Sequence, residues 1–206
     1  MFYMQTLKED TRKRIFSVSK RLFLKKGFRK TTMRDIARDA GVNLSNLYNY
    51  FASKDELLCK LLKPATDTLE NMLNEHHGIN GSDILAMKDE GYVDEALKEY
   101  LSIIHTHKSL LKLLLFKSQG SSLEGYKEYY VDKSTRLLLE WMKSMKRKHP
   151  EINIEVSEFF IHLNCVWHFS LLEEILMHDL SLDEVRSVLL DYLQFEIIGW
   201  RKMILI

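Results

Sequence analysis

The residues best suited to do chemistry lie between Thr31 and Lys54, in the run TTMRDIARDAGVNLSNLYNYFASK. Ser45, Asn46, Tyr48 and Asn49 stand close together there, small or planar side chains that donate and accept hydrogen bonds. Their chemistry is recognition. A short helix that turns such groups outward, braced by a second helix, is the helix-turn-helix way of reading a major groove.

The flanking residues define the elements that must hold that surface. Thr32 is placed to cap a first helix, and Asp35 sits three residues on, a carboxylate variant of the capping box. Met33, Ile36, Ala37 and Ala40 recur at helical spacing and form an inner face. Gly41 supplies the turn, where a left-handed backbone costs little. Asn43 is placed to cap a second helix, Leu44 to Asn49, with Leu47 pointing inward. The aromatic run through Tyr50 and Phe51 is followed at once by a further capping box, Ser53-Lys54-Asp55-Glu56. A cationic helix from about Leu7 to Lys26 precedes the motif, with Ile15, Val18, Ser19, Leu22 and Phe23 along one side and Gly27 at its end.

From about Ile15 to Leu62 the chain resembles the TetR family of transcriptional regulators. The matching residues are Gly27-Phe28, Thr31-Thr32, Ile36-Ala37, Ala40-Gly41-Val42, Leu47-Tyr48, Tyr50-Phe51 and Ser53-Lys54. The resemblance implies that Arg34, Leu44, Ser45, Asn46 and Tyr48 occupy positions facing bases, and that Thr32, Asn49, Tyr50 and Lys54 occupy positions holding phosphates. Arg34 would suit a guanine edge and Asn46 an adenine edge. Leu44, limited to apolar contact, departs from the polar residue often found there. The resemblance further implies a bacterial homodimeric repressor that binds double-stranded operator DNA and is released by a small-molecule effector of unknown identity.

Charge along the chain is uneven. Residues 1–60 hold 14 Lys or Arg against 6 Asp or Glu, while the remainder hold 16 against 23. A basic head on an acidic body suits a chain in which only the head meets a polyanion. An ordinary solvated basic face is the other reading of the same charges. Two prolines and eight glycines in 206 residues, with no hairpin pattern, favour an all-α protein of about nine helices. The expected organisation is a helix-turn-helix DNA-binding domain over 1–52 and a helical effector-binding and dimerisation domain over 53–206. No apolar run reaches the length of a membrane span, and the N-terminus lacks the apolar core of a signal peptide. Two scattered cysteines, Cys59 and Cys165, suit a reducing cytoplasm. No phosphate loop, HExxH or GxSxG is present, so neither enzyme chemistry nor a cofactor is expected.

In the body, a helix from Ser53 toward His76 contains Pro64, read either as a hinge or as a fixed kink. After a loose segment at 77–91, with at most one short helix, three helices are expected at about 93–106, 108–119 and 123–148. Two more, about 154–177 and 182–203, carry apolar surfaces too broad for one neighbour. They are expected to form a four-helix dimer interface, or else to be central core helices of a monomer. Polar and aromatic residues within apolar helices are the clues to an effector pocket: Tyr100, His105, Tyr126, Tyr130, Trp141, Asn164, Cys165 and His168. The histidines lack the spacing of metal ligands, and no metal site is expected. A helical protein-interaction module and a helical-body enzyme are the rival functions.

Overall fold

The computed structural model describes the backbone of residues 2–204 and the side chains of residues 8–204. Within that range all regular elements are helical. They are α1 (Phe2–Lys30), α2 (Met33–Asp39), α3 (Leu44–Tyr50), α4 (Lys54–His77), α5 (Tyr92–Phe116), α6 (Tyr126–Lys148), α7 (Glu158–Met177) and α8 (Leu182–Ile204), with a 3-10 turn at Ile84–Lys88. No helix among the described residues is long and apolar enough to cross a membrane. The question of a leader at residues 1–7 lies outside the described side chains.

Among the described residues eight α-helices stand where about nine were expected. The two helices read at 93–106 and 108–119 are one element, α5. Neither Gly nor Pro occurs between Tyr92 and Phe116, so nothing in the chain forces a stop. Helix α7 starts at Glu158, later than the expected Ile154. The Asn153 side chain accepts the Glu155 N–H at 3.1 Å, a local bond that competes with helix formation. Helix α4 continues through Pro64 to His77, although that proline cannot donate to the carbonyl four residues back.

The chain divides into two compact units: Met1–Thr66 with Ser109–Tyr126, and Asp67–Lys108 with Lys127–Ile206. These boundaries differ from the functional division drawn at 52/53. The first half of α4 buries Leu57, Leu58, Leu61, Leu62 and Ala65, and so is grouped with the head.

In the first unit the core includes Ile15, Leu22, Phe23, Phe28, Ile36, Leu47, Phe51, Leu58 and Leu62. Gly27, at φ 76° and ψ 164°, ends the long run of α1 in a region that is essentially closed to side chains. Beyond it the Phe28 N–H donates to the Lys117 carbonyl at 2.8 Å, and the buried Thr31 hydroxyl donates to the Gly27 carbonyl at 2.8 Å. Thr32 and Asp35 form the complete capping box of α2. Asn43 holds the N-cap position of α3, but its side chain makes no capping bond. At the start of α4 the Ser53 hydroxyl accepts the Glu56 N–H at 3.0 Å, while the Glu56 carboxylate accepts from Ala52, one residue ahead of the expected partner.

In the second unit Leu97 and Ile104 of α5 pack with Ile175 of α7 and with Val185, Leu189, Tyr192, Leu193 and Ile197 of α8. Ser181 and Glu184 close a reciprocal capping box on α8, at 2.8 and 3.3 Å. The loop before α5 is tied down at Asp83, which accepts the Leu85 N–H at 2.9 Å and is paired with Lys148 and His149.

Gly27 carries the prediction that follows from this architecture. Gly27→Ala should lower stability by about 1–3 kcal/mol, read as a fall in the thermal unfolding midpoint. An unchanged midpoint would mean that the backbone there relaxes without strain.

Candidate nucleic-acid interface and ligand cavity

The capping box and the Gly41 turn set how α3 is presented. Gly41, at φ 61°, closes α2, and the Val42 N–H returns to the Ala37 carbonyl at 3.0 Å. Leu47 is fully buried and anchors α3, leaving Ser45, Asn46, Tyr48 and Asn49 exposed and Leu44 and Tyr50 partly so. Tyr48 is 47% exposed, which separates it from Phe51, at 1%, on the same short segment. Arg34 is exposed on α2. The Thr32 hydroxyl is already engaged, accepting from the Asp35 N–H at 3.1 Å and donating to the Asp35 carboxylate at 3.0 Å. That bond, with the backbone bond from Thr32, holds the Asp35 carboxyl below its usual range.

The basic face is partly offset within the unit. Arg21 and Arg38 each reach Asp39 at 3.0 Å, and Arg38 also reaches Asp35 at 3.4 Å. Lys54 is engaged differently from what the resemblance implied. Its ammonium donates to the carbonyls of Phe28 and Thr31, both at 2.8 Å, and lies 4.1 Å from the centre of the Phe28 ring. Burial pushes this lysine below its ordinary value. The side chain thus ties the end of α1 and the start of α2 to α4.

The second unit contains a cavity of about 210 Å³ with largely apolar walls. Six of the eight residues singled out in the sequence line it: Tyr100, Tyr130, Trp141, Asn164, Cys165 and His168. The other two do not. His105 is exposed on α5, and Tyr126 is buried in the first unit. Tyr130 and Trp141 direct their donors to protein, the hydroxyl to the Leu69 carbonyl at 3.0 Å and the indole N–H to the Ser82 carbonyl at 2.9 Å.

A polar network runs through this cavity. His168 Nε2 meets the Tyr100 hydroxyl, and its Nδ1 lies 3.2 Å from the Tyr192 hydroxyl and 3.5 Å from Glu196. Asn164 donates to the other Glu196 oxygen at 3.1 Å. Burial alone would raise the Glu196 carboxyl, but His168, Asn164 and Tyr192 outweigh it and hold it below its usual value. A second pair, His76 and Glu99, meets at 2.7 Å, and the bond from Glu99 raises His76 despite burial. Its neighbour His77, edge-on to Trp141 at 5.0 Å, is pushed down by burial to about 3 and stays neutral.

On α7 and α8 several large apolar side chains are exposed. Phe159, Leu163 and Trp167 recur every four residues on α7, and Val188, Phe195 and Ile198 accompany them on α8. Trp167 meets Phe195 edge-on at 5.6 Å, which joins the exposed apolar side chains of the two helices at that pair.

Residues 15–60 match the sequence profile described as "Bacterial regulatory proteins, tetR family". The head thus carries the DNA-binding segment of that family. It is 41% identical over 64 residues to the HTH-type transcriptional regulator HbdR of Aromatoleum sp. (strain CIB), a stretch covering 31% of this chain and 28% of that protein. It is 22% identical over 165 residues to the uncharacterized HTH-type transcriptional regulator YfiR of Bacillus subtilis (strain 168), covering 76% and 78% of the two. Among solved structures, NalD of Pseudomonas aeruginosa, described as the secondary repressor of the MexAB-OprM multidrug efflux pump, superposes with a TM-score of 0.59 at 17% identity. That likeness covers 90% of this chain and 95% of NalD, and shows the fold.

The cavity-wall groups missed in the sequence include His76, His77, Asp83, Glu99 and Glu196. Glu196 had a visible signal, a carboxylate in line with the apolar residues of α8. His76 and His77 end α4, where histidine is commonplace beside the helix dipole, and so drew no attention.

Lys54→Met retains the apolar stem and removes the ammonium from the Phe28 and Thr31 carbonyls. It should cost about 1–3 kcal/mol of head stability, measured by thermal or urea unfolding. Full stability combined with lost DNA binding would return this ammonium to a phosphate.

Proposed function

We propose that this regulator is a homodimeric repressor whose hold on operator DNA is weakened when a small molecule enters the cavity. The exposed polar face of α3, carried on a positively charged head, is the observation on which the reading chiefly rests. Ser45, Asn46 and Tyr48, with Arg34 from α2, are assigned to base edges, and Leu44 to an apolar contact such as a thymine methyl. Asn49 and Tyr50 are assigned to phosphates, and Thr32 and Lys54 contribute through the backbone N–H groups at the starts of α2 and α4. The description of NalD as a repressor supports the direction of control.

The exposed apolar side chains of α7 and α8, joined at Trp167 and Phe195, support pairing of two chains, since a patch of this kind seldom faces water. A two-fold dimer then presents two α3 helices to two half-sites. An effector that binds better to the form with weak operator affinity shifts the population toward that form. With apolar walls and a few converging polar groups, the cavity has the make-up of an effector site.

DNA binding is tested by fluorescence anisotropy with the DNA upstream of the chain's own gene. Tyr48→Ala should weaken binding by about tenfold or more with the unfolding midpoint unchanged, and binding should fall steeply with salt. Wild-type affinity in both Tyr48→Ala and Asn46→Ala would refute the assignment of α3. For the dimer, Leu163→Asp together with Phe195→Asp should give a monomer in sedimentation, because each buries a charge in the proposed interface. A variant that still sediments as the wild-type dimer would place the interface elsewhere.

A further inference from the structure

The groups of the cavity wall that ionise near or below neutral pH are carboxylates and histidines. The wall holds three carboxylates, Asp83, Glu99 and Glu196, and among the described residues no lysine or arginine lines it. Asp83 is paired with Lys148 and His149. Glu99 is paired with His76 at 2.7 Å. Glu196 is met by the neutral groups of Asn164 and Tyr192, and by His168 at the longer distance of 3.5 Å. Neutral His77 adds no positive charge.

An anion entering this space would therefore meet only cations already set against carboxylates, and would lose its own hydration. A cation would meet a buried carboxylate held in its charged form, with aromatic walls around it. Tyr100, Phe169 and Trp200 line the same space, and their ring faces attract positive charge. The volume of about 210 Å³ lies below the range of about 300–1,000 Å³ common for drug-sized ligands, which points to a compact molecule.

We propose that the cavity selects a compact, largely apolar monocation of the arylalkylamine class, with its charged nitrogen seated beside Glu196. This rests on the reading of the cavity as the effector site and adds the charge and size of the ligand to it. No bond is made or broken, and selection comes from desolvation and charge alone.

The test uses the full chain and three probes that share one apolar body and differ in their head group: 4-phenylbutylammonium, 4-phenylbutanol and 4-phenylbutanoate. Isothermal titration calorimetry near neutral pH should rank the ammonium at least about tenfold tighter than the carboxylate, with the alcohol between them. Glu196→Gln should weaken the ammonium by about tenfold and leave the alcohol within about twofold. If that variant does not fold, the wild-type ranking decides alone. Ala96→Trp, which narrows the cavity, should weaken all three and so assign the binding to this space. Equal or tighter binding of the carboxylate overturns the proposal, as does failure of all three to bind or an ammonium preference that survives Glu196→Gln. The two readings fail separately. An ammonium that binds as described without changing operator affinity refutes effector release alone, whereas a carboxylate that binds tightest and releases DNA refutes the charge selection alone.

Discussion

The head depends on one ammonium group. Lys54 of α4 grips the carbonyls of Phe28 and Thr31, the residues at which α1 has ended and α2 is about to begin. Those carbonyls follow a glycine that breaks α1 and precede the capping box that starts α2, and the Phe28 carbonyl accepts one further bond, from the Thr31 N–H at 3.2 Å. Without Lys54 the Thr31 carbonyl would lose its ammonium donor and the Phe28 carbonyl would keep only the Thr31 N–H, a loss that costs most where an acceptor is partly buried. One side chain thus fixes three helix ends. The direction of α2, and through the Gly41 turn the presentation of α3, follow from that clamp. A lysine is suited to this because its ammonium offers three donors on a flexible stem.

The second unit carries a comparable constraint with the opposite sign. Glu196 is a carboxylate in an apolar stripe, and such a group is tolerated only when hydrogen bonds and charge compensate for lost water. Asn164 and His168 come from α7, while Tyr192 and Glu196 come from α8. The bond from Tyr100 to His168 adds α5 to the network. Three helices are therefore held in register around the cavity by polar contacts inside an otherwise apolar wall. A well-packed apolar core would give equal or greater stability. The retention of a charge there is consistent with a use beyond stability.

Local rules made much of the head legible. The Thr32 box, the glycine turn and the inward Leu47 each depend on residues within a few positions of one another, and each stands where the spacing put it. The clamp made by the Lys54 ammonium was not legible because its partners lie 26 and 23 residues away, beyond any local pattern. The same limit governs the body. His105 and His168 look alike in sequence, each within an apolar helix, yet one is exposed and the other lines the cavity. Helix phase alone does not say which side of α5 a neighbour will cover. The continuous α5 was read as two helices, although no Gly or Pro between Tyr92 and Phe116 stops one. Among the cavity groups that were missed, Glu196 carried a sequence signal, since a carboxylate on an apolar face needs a partner wherever it lies.

The central claim is that the cavity and the operator compete for the state of one protein. Linkage makes this claim strict: if a ligand weakens operator binding by some factor, operator DNA must weaken ligand binding by the same factor. The direct measurement is the affinity of whichever phenylbutyl probe binds, determined with and without a saturating operator duplex. Probe binding should be weaker on the operator complex, by the same factor that the probe takes from operator affinity. Identical probe affinity in the two states would contradict the claim, because the cavity would then have no thermodynamic connection to DNA.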